Sequence, residues 1–212
     1  MVKDEINGFY RSKVMAILLI GLPALSVMLY FLSPDLGVLP LGAFTAMLAA
    51  SIAGMLASTT LSVAIINERS QGAFDLFLVR PVKRSHLLLA KYIAVVACVI
   101  AAAALALVLA NAYDWYRSGA VDLGMMVQPM LVIVTMACIA SAAAVLFGTL
   151  TKSVLVGVIL TIYGGNQLSA AVVLPALLQD VLPFEATVAI GLVISAIVRA
   201  GAVVVFKRKR SN

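Results

Sequence analysis

The residues with the greatest capacity for polar chemistry are concentrated in one segment, Asn67–His86, with the sequence NERSQGAFDLFLVRPVKRSH. It holds two acids and four arginines or lysines around a short apolar patch, and we call it the island. No catalytic motif accompanies it: the sequence contains no Walker-type G-x-x-x-x-G-K-[ST], no H-E-x-x-H and no carboxylate pair spaced for a metal. The chemistry that remains is recognition, in which charges and apolar side chains contact another molecule.

The elements that must position the island are apolar. Of the 212 residues 64% are hydrophobic and 11% are charged, and the mean hydropathy is +1.13, which is typical of a polytopic membrane protein. A spanning helix needs about 20 apolar residues. Six runs are this long and continuous, which favours helices over a barrel: 14–32, 38–66, 87–110, 125–150, 154–174 and 186–206. We therefore expect an all-α, six-helix bundle occupying residues 1–212, with no separate soluble domain.

The basic residues indicate the orientation of this bundle. When the six predicted helices are folded, Arg117 falls on one side, Arg199 lies within the last helix, and the other basic residues fall together on the opposite side. Such asymmetry marks the cytoplasmic face. It predicts a multi-pass cell-membrane protein with both termini and the island in the cytoplasm. The net charge of +6 is then a topology signal and a contact for anionic membrane lipid, and nucleic acid is not an expected partner.

Residues 2–13 precede the first run and mix charges with apolar side chains. On a helix, Ile6, Phe9 and Tyr10 share one face, which suits a helix lying in the inner membrane interface. The alternative is a frayed terminus with no role.

The second run carries small residues at every fourth position: Gly42, Ala46, Ala50, Gly54, Ser58 and Ser62. Small residues let membrane helices approach closely. This stripe is explained either by packing within one chain or by a dimer seam or pathway lining. In the second case Ser58 and Ser62 are candidate pathway residues.

The fifth run contains the sequence GGNQ at residues 164–167, followed by prolines at 175 and 183. Glycine and proline weaken helices, so an interruption is expected here, with residues 175–185 forming a short re-entrant or outer-leaflet element. Asn166 and Gln167 would then either line a substrate path or form an interhelical hydrogen bond.

The predicted spans contain almost no ionisable groups. Arg199 is the exception, and its position near the inner end of the last run suits an interfacial anchor. Carriers driven by protons or sodium usually need carboxylates, histidines or broken helices within the membrane. Here the one histidine, His86, lies at the edge of the island. Cys98 and Cys138 lie within apolar runs and are expected to be packing residues.

The island itself has a helical pattern. Ser70 can cap a short helix that Pro81 ends, and Phe74, Phe77 and Leu78 would share one face of it. Burying such a side chain stabilises by roughly 1.5–3 kcal/mol. This face should therefore press into the inner leaflet or into a groove on a partner.

The extended segment NERSQGAFDLFLVRPVKRSHLLLAK resembles ABC exporter permeases of the type-2 membrane class. In that family an acidic and basic pair ends the second helix. A glycine, a short apolar helix, a proline, a basic residue and a lysine follow. The matching positions here are Glu68, Arg69, Gly72, Phe74–Leu78, Pro81, Arg84 and Lys91.

The resemblance implies that Gly72–Leu78 is a coupling helix that docks into a separate cytoplasmic ABC ATPase. The implied contact set is Glu68, Arg69, Gly72, Ala73, Phe74, Asp75, Leu76, Phe77, Leu78, Pro81 and Arg84. It also implies a pair of permeases, either two copies or a copy and a paralogue, with two ATPases. ATP and Mg²⁺ would bind in the partner ATPase, and this chain would bind no cofactor and catalyse no covalent reaction.

Two features depart from the family pattern. The chain is short for such a permease, and Ser70 and Gln71 stand where a second acid usually follows Arg69. The functional alternatives are a passive channel or secondary carrier, and a membrane scaffold that recruits a cytoplasmic protein through the island.

Overall fold

The computed structural model describes residues 13–32, 41–70, 84–118, 124–178 and 183–208. Apart from residues 151–153 and Pro183, all of them are helical, so the predicted all-α class is confirmed for this part of the chain. The helices are α1 Lys13–Leu32, α2 Leu41–Ser70, α3 Arg84–Ser118, α4 Gly124–Leu150, α5 Val154–Leu160, α6 Asn166–Leu178 and α7 Phe184–Arg208. A π-helical turn, Thr161–Gly165, joins α5 to α6.

Four helical segments among the described residues are long and apolar enough to cross a membrane: Leu88–Leu109, Val127–Leu150, Val154–Val173 and Phe184–Val205. A further apolar helical segment in α1, Met15–Leu25, is shorter than these four segments. A membrane-embedded protein explains these lengths, because a helix satisfies all of its backbone hydrogen bonds internally in a solvent without water.

The outer surface of the bundle is apolar. In α1, Met15 and Leu18 are buried, while Ile20 and Phe31 on the other side of the same helix are more than two-thirds exposed. A helix in water would carry polar residues on that side. Apolar side chains on both faces are suited to lipid.

The bundle is built around α4. Of its apolar window, Val127–Leu150, 67% is buried, against 28% for Val154–Val173 and 17% for Phe184–Val205. The helices α2, α3 and α7 all pack against α4. The fifth predicted span and α7 therefore lie at the edge of the bundle and present most of their surface to its surroundings.

The most extensive packing is between α2 and α4, where glycines face apolar side chains. A methyl group built on Gly54 would lie 3.9 Å from Ala140 Cβ, and one on Gly148 would lie 3.2 Å from Ile65 Cβ. Larger residues at Gly148 would push the two backbones apart. Close approach adds van der Waals contact, which is the main attraction between helices in lipid.

Two helices run further than the hydropathy predicts. The second apolar run was expected to end at residue 66, but α2 continues through Glu68 and Arg69 to Ser70. The third was expected to end at residue 110, but α3 continues through Trp115 and Tyr116 to Ser118. Hydropathy marks where apolar residues stop, whereas a helix stops where its backbone finds other partners.

The interruption expected at residues 164–167 is present only as the π-helical turn Thr161–Gly165, which overlaps it at Gly164 and Gly165, and the helix does not break. The chain stays helical from Val154 to Leu178, through the π-helical turn and through Pro175. The two glycines also serve packing: a Cβ on Gly164 would lie 2.9 Å from the Phe147 ring, and one on Gly165 would lie 3.5 Å from Ala143 Cβ.

A separate re-entrant element at residues 175–185 is not seen in the described part either. Residues 175–178 complete α6, and α7 begins at Phe184. Residues 179–182 lie outside the described ranges. So do residues 2–12 of the predicted interface helix 2–13, whose last residue, Lys13, begins α1.

Candidate functional site

The end of α2 and the start of α3 are joined by an ion pair. Glu68 Oε1 lies 2.6 Å from Lys91 Nζ. Glu68 is in the last turn of α2, and Lys91 is two turns into α3. The Glu68 side chain is 30% exposed and the Lys91 side chain 10%, so most of the Lys91 side chain is shielded from the surroundings of the bundle.

The neighbouring residue ties α2 to α4. Arg69 Nη1 donates a hydrogen bond to the Thr149 carbonyl oxygen at 2.8 Å. Thr149 is the penultimate residue of α4, where the last four carbonyls lack helical partners and the helix dipole is negative. A guanidinium is suited to both features, so Arg69 caps α4 from a different helix.

Glu68, Arg69, Lys91 and the Thr149 carbonyl together form what we call the junction. It fixes the ends of three helices, α2, α3 and α4, at the end of the bundle where the island leaves and returns. The sequence resemblance singled out Glu68, Arg69 and Lys91, and the structure brings all three to this point. Thr149 was not identified, since its contribution is a backbone oxygen.

Most of the island lies outside the described residues. This applies to Gly72, Ala73, Phe74, Asp75, Leu76, Phe77, Leu78 and Pro81. Arg84 is the first residue of α3. Ser70, the predicted cap of the following helix, is the last residue of α2, and its hydroxyl donates to the Asn67 carbonyl at 2.8 Å.

A second polar cluster joins α3, α4 and α7 inside the bundle. Tyr92 Oη lies 3.1 Å from Ser195 Oγ, and both hydroxyls lie within donating distance of the Cys138 carbonyl oxygen, at 3.2 and 3.1 Å. The Arg199 guanidinium lies over the Tyr92 ring, 5.3 Å from its centre. The sequence indicated Arg199 as an interfacial anchor but gave no sign of this aromatic partner.

The candidate pathway residues of α2 are buried within the chain. Ser58 is 1% exposed, and its hydroxyl donates to the Met55 carbonyl of its own helix. Ser62 is fully buried and faces α5, where a Cβ on Gly157 would lie 3.3 Å from its Oγ. Its hydroxyl has no hydrogen-bond partner among the described residues.

The candidate pathway residues of the fifth span lie at its surface. Asn166 is partly buried, and its carbonyl accepts a hydrogen bond from Ser169 Oγ at 2.8 Å. Gln167 is exposed, one turn after Tyr163, which is 69% exposed. Both Tyr163 and Gln167 lie within the apolar window Val154–Val173. An amide and a phenol therefore face outward at membrane depth.

Cys98 and Cys138 are free, and both pack with the apolar core. No group of three or more His, Cys, Asp or Glu side chains that could hold a metal occurs in the described part of the chain.

Comparison with known proteins gives no match: no protein-family model fits this chain, and no curated protein is significantly similar to it.

Proposed function

We propose that the chain is the membrane subunit of an ATP-binding cassette exporter, with six spans and a cytoplasmic island that couples to a separate ATPase. The junction is the observation that carries this proposal. Glu68–Lys91 and Arg69–Thr149 fasten both ends of the island to the bundle. A coupling segment needs such fastening, because a push on a loosely tethered loop would be absorbed before it reached the spans.

The packing supports a route for that push. The island continues from α2, which makes its most extensive contacts with α4, and α4 in turn packs against α7. Close-packed helices move as rigid bodies because interiors resist compression. A displacement of the island would therefore tilt α2 and α4 together and shift the edge helices relative to them.

The edge helices support a second copy or a paralogue as a partner. Gln167 carries two amide donors and an acceptor at a depth where the bilayer offers no hydrogen bonds. Leaving such a group unpaired costs roughly 2–7 kcal/mol in an apolar medium. Facing a second permease across a polar pathway removes this cost, and the rest of the apolar surface contacts membrane lipid.

The proposed orientation places the junction in the cytoplasm. Among the described residues, Arg69, Lys91 and the exposed Lys152 lie at this end of the bundle, and Glu185, in the first turn of α7, lies at the other. An excess of Lys and Arg marks the cytoplasmic side. In this arrangement the ATPase holds ATP and Mg²⁺, and the permease supplies the pathway without its own hydrolytic site.

The test is co-purification from the native membrane. The tagged chain is solubilised in mild detergent, and the proteins retained with it are identified by mass spectrometry. We expect a P-loop ATPase to be retained, and its turnover to change when it is reconstituted with the chain. Phe74→Ala should abolish retention, because truncating a buried aromatic costs roughly 3–5 kcal/mol in a well-packed site.

Lys152→Gln is the matched control. It removes a charge at the same end of the bundle, outside the island and the junction, and should leave retention unchanged. Retention of the ATPase by Phe74→Ala would show that the island does not couple. A complex without any P-loop ATPase would contradict the proposal and favour a scaffold, and ion-dependent flux by the chain alone in liposomes would favour a channel or carrier.

A further inference from the structure

A groove of about 450 Å³ opens between α3 and α7. Leu88 of α3 and Val204 of α7 lie on its two sides, Val145 of α4 lies between them, and Arg199 contributes the one charged side chain of its lining. The volume is within the range of about 300–1,000 Å³ typical of small-molecule sites.

The groove exists because α3 and α7 both pack against α4 but make little contact with each other. They meet through Tyr92, Ser195 and Arg199. From this cluster the groove runs toward Leu88 and Val204, and therefore toward the end of the bundle that carries the junction. Val204 is 54% exposed, so the groove faces sideways, into the position of the surrounding lipid.

Arg199 has a positive charge with no anion beside it in the described part of the chain. Its guanidinium lies over the face of the Tyr92 ring and forms no ion pair with any described residue. Glu68 is held by Lys91, Glu185 lies near the opposite end of α7, and Asp114 lies 22 residues beyond Tyr92 on α3. A guanidinium has five N–H donors, and one aromatic face satisfies none of them as a hydrogen bond.

The depth of Arg199 limits what can neutralise it. It precedes Val205, the end of the apolar window of α7, by six residues, or about 9 Å along the helix. A free anion would have to leave water to reach Arg199 at this depth. A phospholipid of the same leaflet already has its acyl chains in the hydrocarbon and its phosphate a short distance from Arg199. A charged residue in a span is stabilised by pairing.

We propose that this groove binds a phospholipid, with its phosphate on Arg199 and one acyl chain along the apolar walls formed by α3, α4 and α7. The guanidinium offers paired N–H donors that match a phosphate, and its cation–π contact with Tyr92 places it at the end of the groove. The proposal depends on the membrane setting of the helices and not on the proposed exporter function.

The experiment is native mass spectrometry of the purified, delipidated full chain, titrated with phosphatidylglycerol. Parallel titrations use diacylglycerol with the same acyl chains, which lacks the phosphate, and inorganic phosphate, which lacks the chains. The wild type should bind one phosphatidylglycerol with higher affinity than any further copies. Diacylglycerol should bind at least tenfold more weakly, and millimolar inorganic phosphate should not displace the lipid.

Two variants test the two parts of the site. Arg199→Gln should weaken the first binding step by about tenfold, as expected for losing charge-assisted hydrogen bonds. Ala200→Trp, at an exposed residue lining the groove, should weaken it similarly while keeping Arg199 and Tyr92 in contact, so it remains informative if Arg199→Gln fails to fold. The control Lys152→Gln removes an exposed charge outside the groove and should stay within twofold of wild type.

Three results would overturn the proposal. Arg199→Gln and Ala200→Trp, each folded, could bind phosphatidylglycerol like the wild type. Lys152→Gln could weaken binding as much as Arg199→Gln, which would indicate diffuse attraction of anionic lipid. Displacement of the lipid by inorganic phosphate would indicate a site for free anions.

Discussion

The junction ion pair makes a quantitative prediction. At the 2.6 Å between Glu68 Oε1 and Lys91 Nζ, the Coulomb attraction at an effective dielectric constant of 20 is about 6 kcal/mol. Most of this is offset, because the Lys91 side chain is only 10% exposed and desolvating an ion costs several kcal/mol. Glu68, at 30% exposure, retains some hydration. We expect a net coupling energy of about 1–2 kcal/mol, within the range of coupled neighbouring residues.

A double-mutant cycle measures this energy. Glu68→Gln, Lys91→Met and the double variant are unfolded by titrating a denaturing detergent into mild micelles, with loss of the helical circular dichroism signal as the readout. Each single substitution should lower the free energy of unfolding. The double variant should be destabilised by about 1–2 kcal/mol less than the sum of the two single effects. Lys152→Met, at an exposed position of the same end, should change stability by less than about 0.5 kcal/mol.

The result that would refute this reasoning is additivity. If the double variant costs the sum of the singles within about 0.3 kcal/mol, the two side chains do not stabilise each other, and the junction does not hold the island.

Two further predictions concern packing and topology. Gly191→Ala should destabilise the bundle by about 1–3 kcal/mol, because its new Cβ would overlap Cγ2 of the buried Thr135. Gly201→Ala, with open space around it, should be neutral or slightly stabilising in the same detergent titration. Equal effects of the two substitutions would contradict the close contact at Gly191. The topology is tested in a variant without the two native cysteines. A single cysteine that replaces Lys152 should not react with an impermeant thiol reagent applied outside intact cells, and one that replaces Arg117 should react. The reverse pattern would show that the proposed orientation is wrong.

The sequence predicts the positions of the helices well because long apolar runs are conspicuous in it. The predicted run 125–150 matches α4, Gly124–Leu150, and the other runs overlap described helices, four of whose segments are long and apolar enough to cross a membrane. It predicts their ends less well where a polar sequence continues a helix. The eight residues from Asn111 to Ser118 extend α3, with Trp115 and Tyr116 exposed as in the aromatic belts of membrane interfaces.

The candidate site could be predicted only in part. Glu68, Arg69 and Lys91 were recognisable because charged residues at the margins of apolar runs are conspicuous. Their contacts were not, since Arg69 binds a backbone oxygen 80 residues away. Tyr92, Ser195 and Arg199 are single residues in different runs, and only the packing of α3 and α7 on α4 brings them together. The glycines at 164 and 165 marked the place where α-helical geometry is interrupted, but their close packing against α4 could not be predicted from the sequence.

The π-helical turn at Thr161–Gly165 has a consequence for the whole fifth span. A π turn accommodates one residue more than the α-helical repeat, and one residue corresponds to about 100° of rotation. The halves on either side, α5 and α6, are therefore out of phase by about that angle. If the turn relaxed to α-helical geometry while α5 stayed fixed, the whole of α6 would rotate about its axis and Gln167 would point in a different direction. The azimuth of every side chain in α6 is thus set by five residues that precede it.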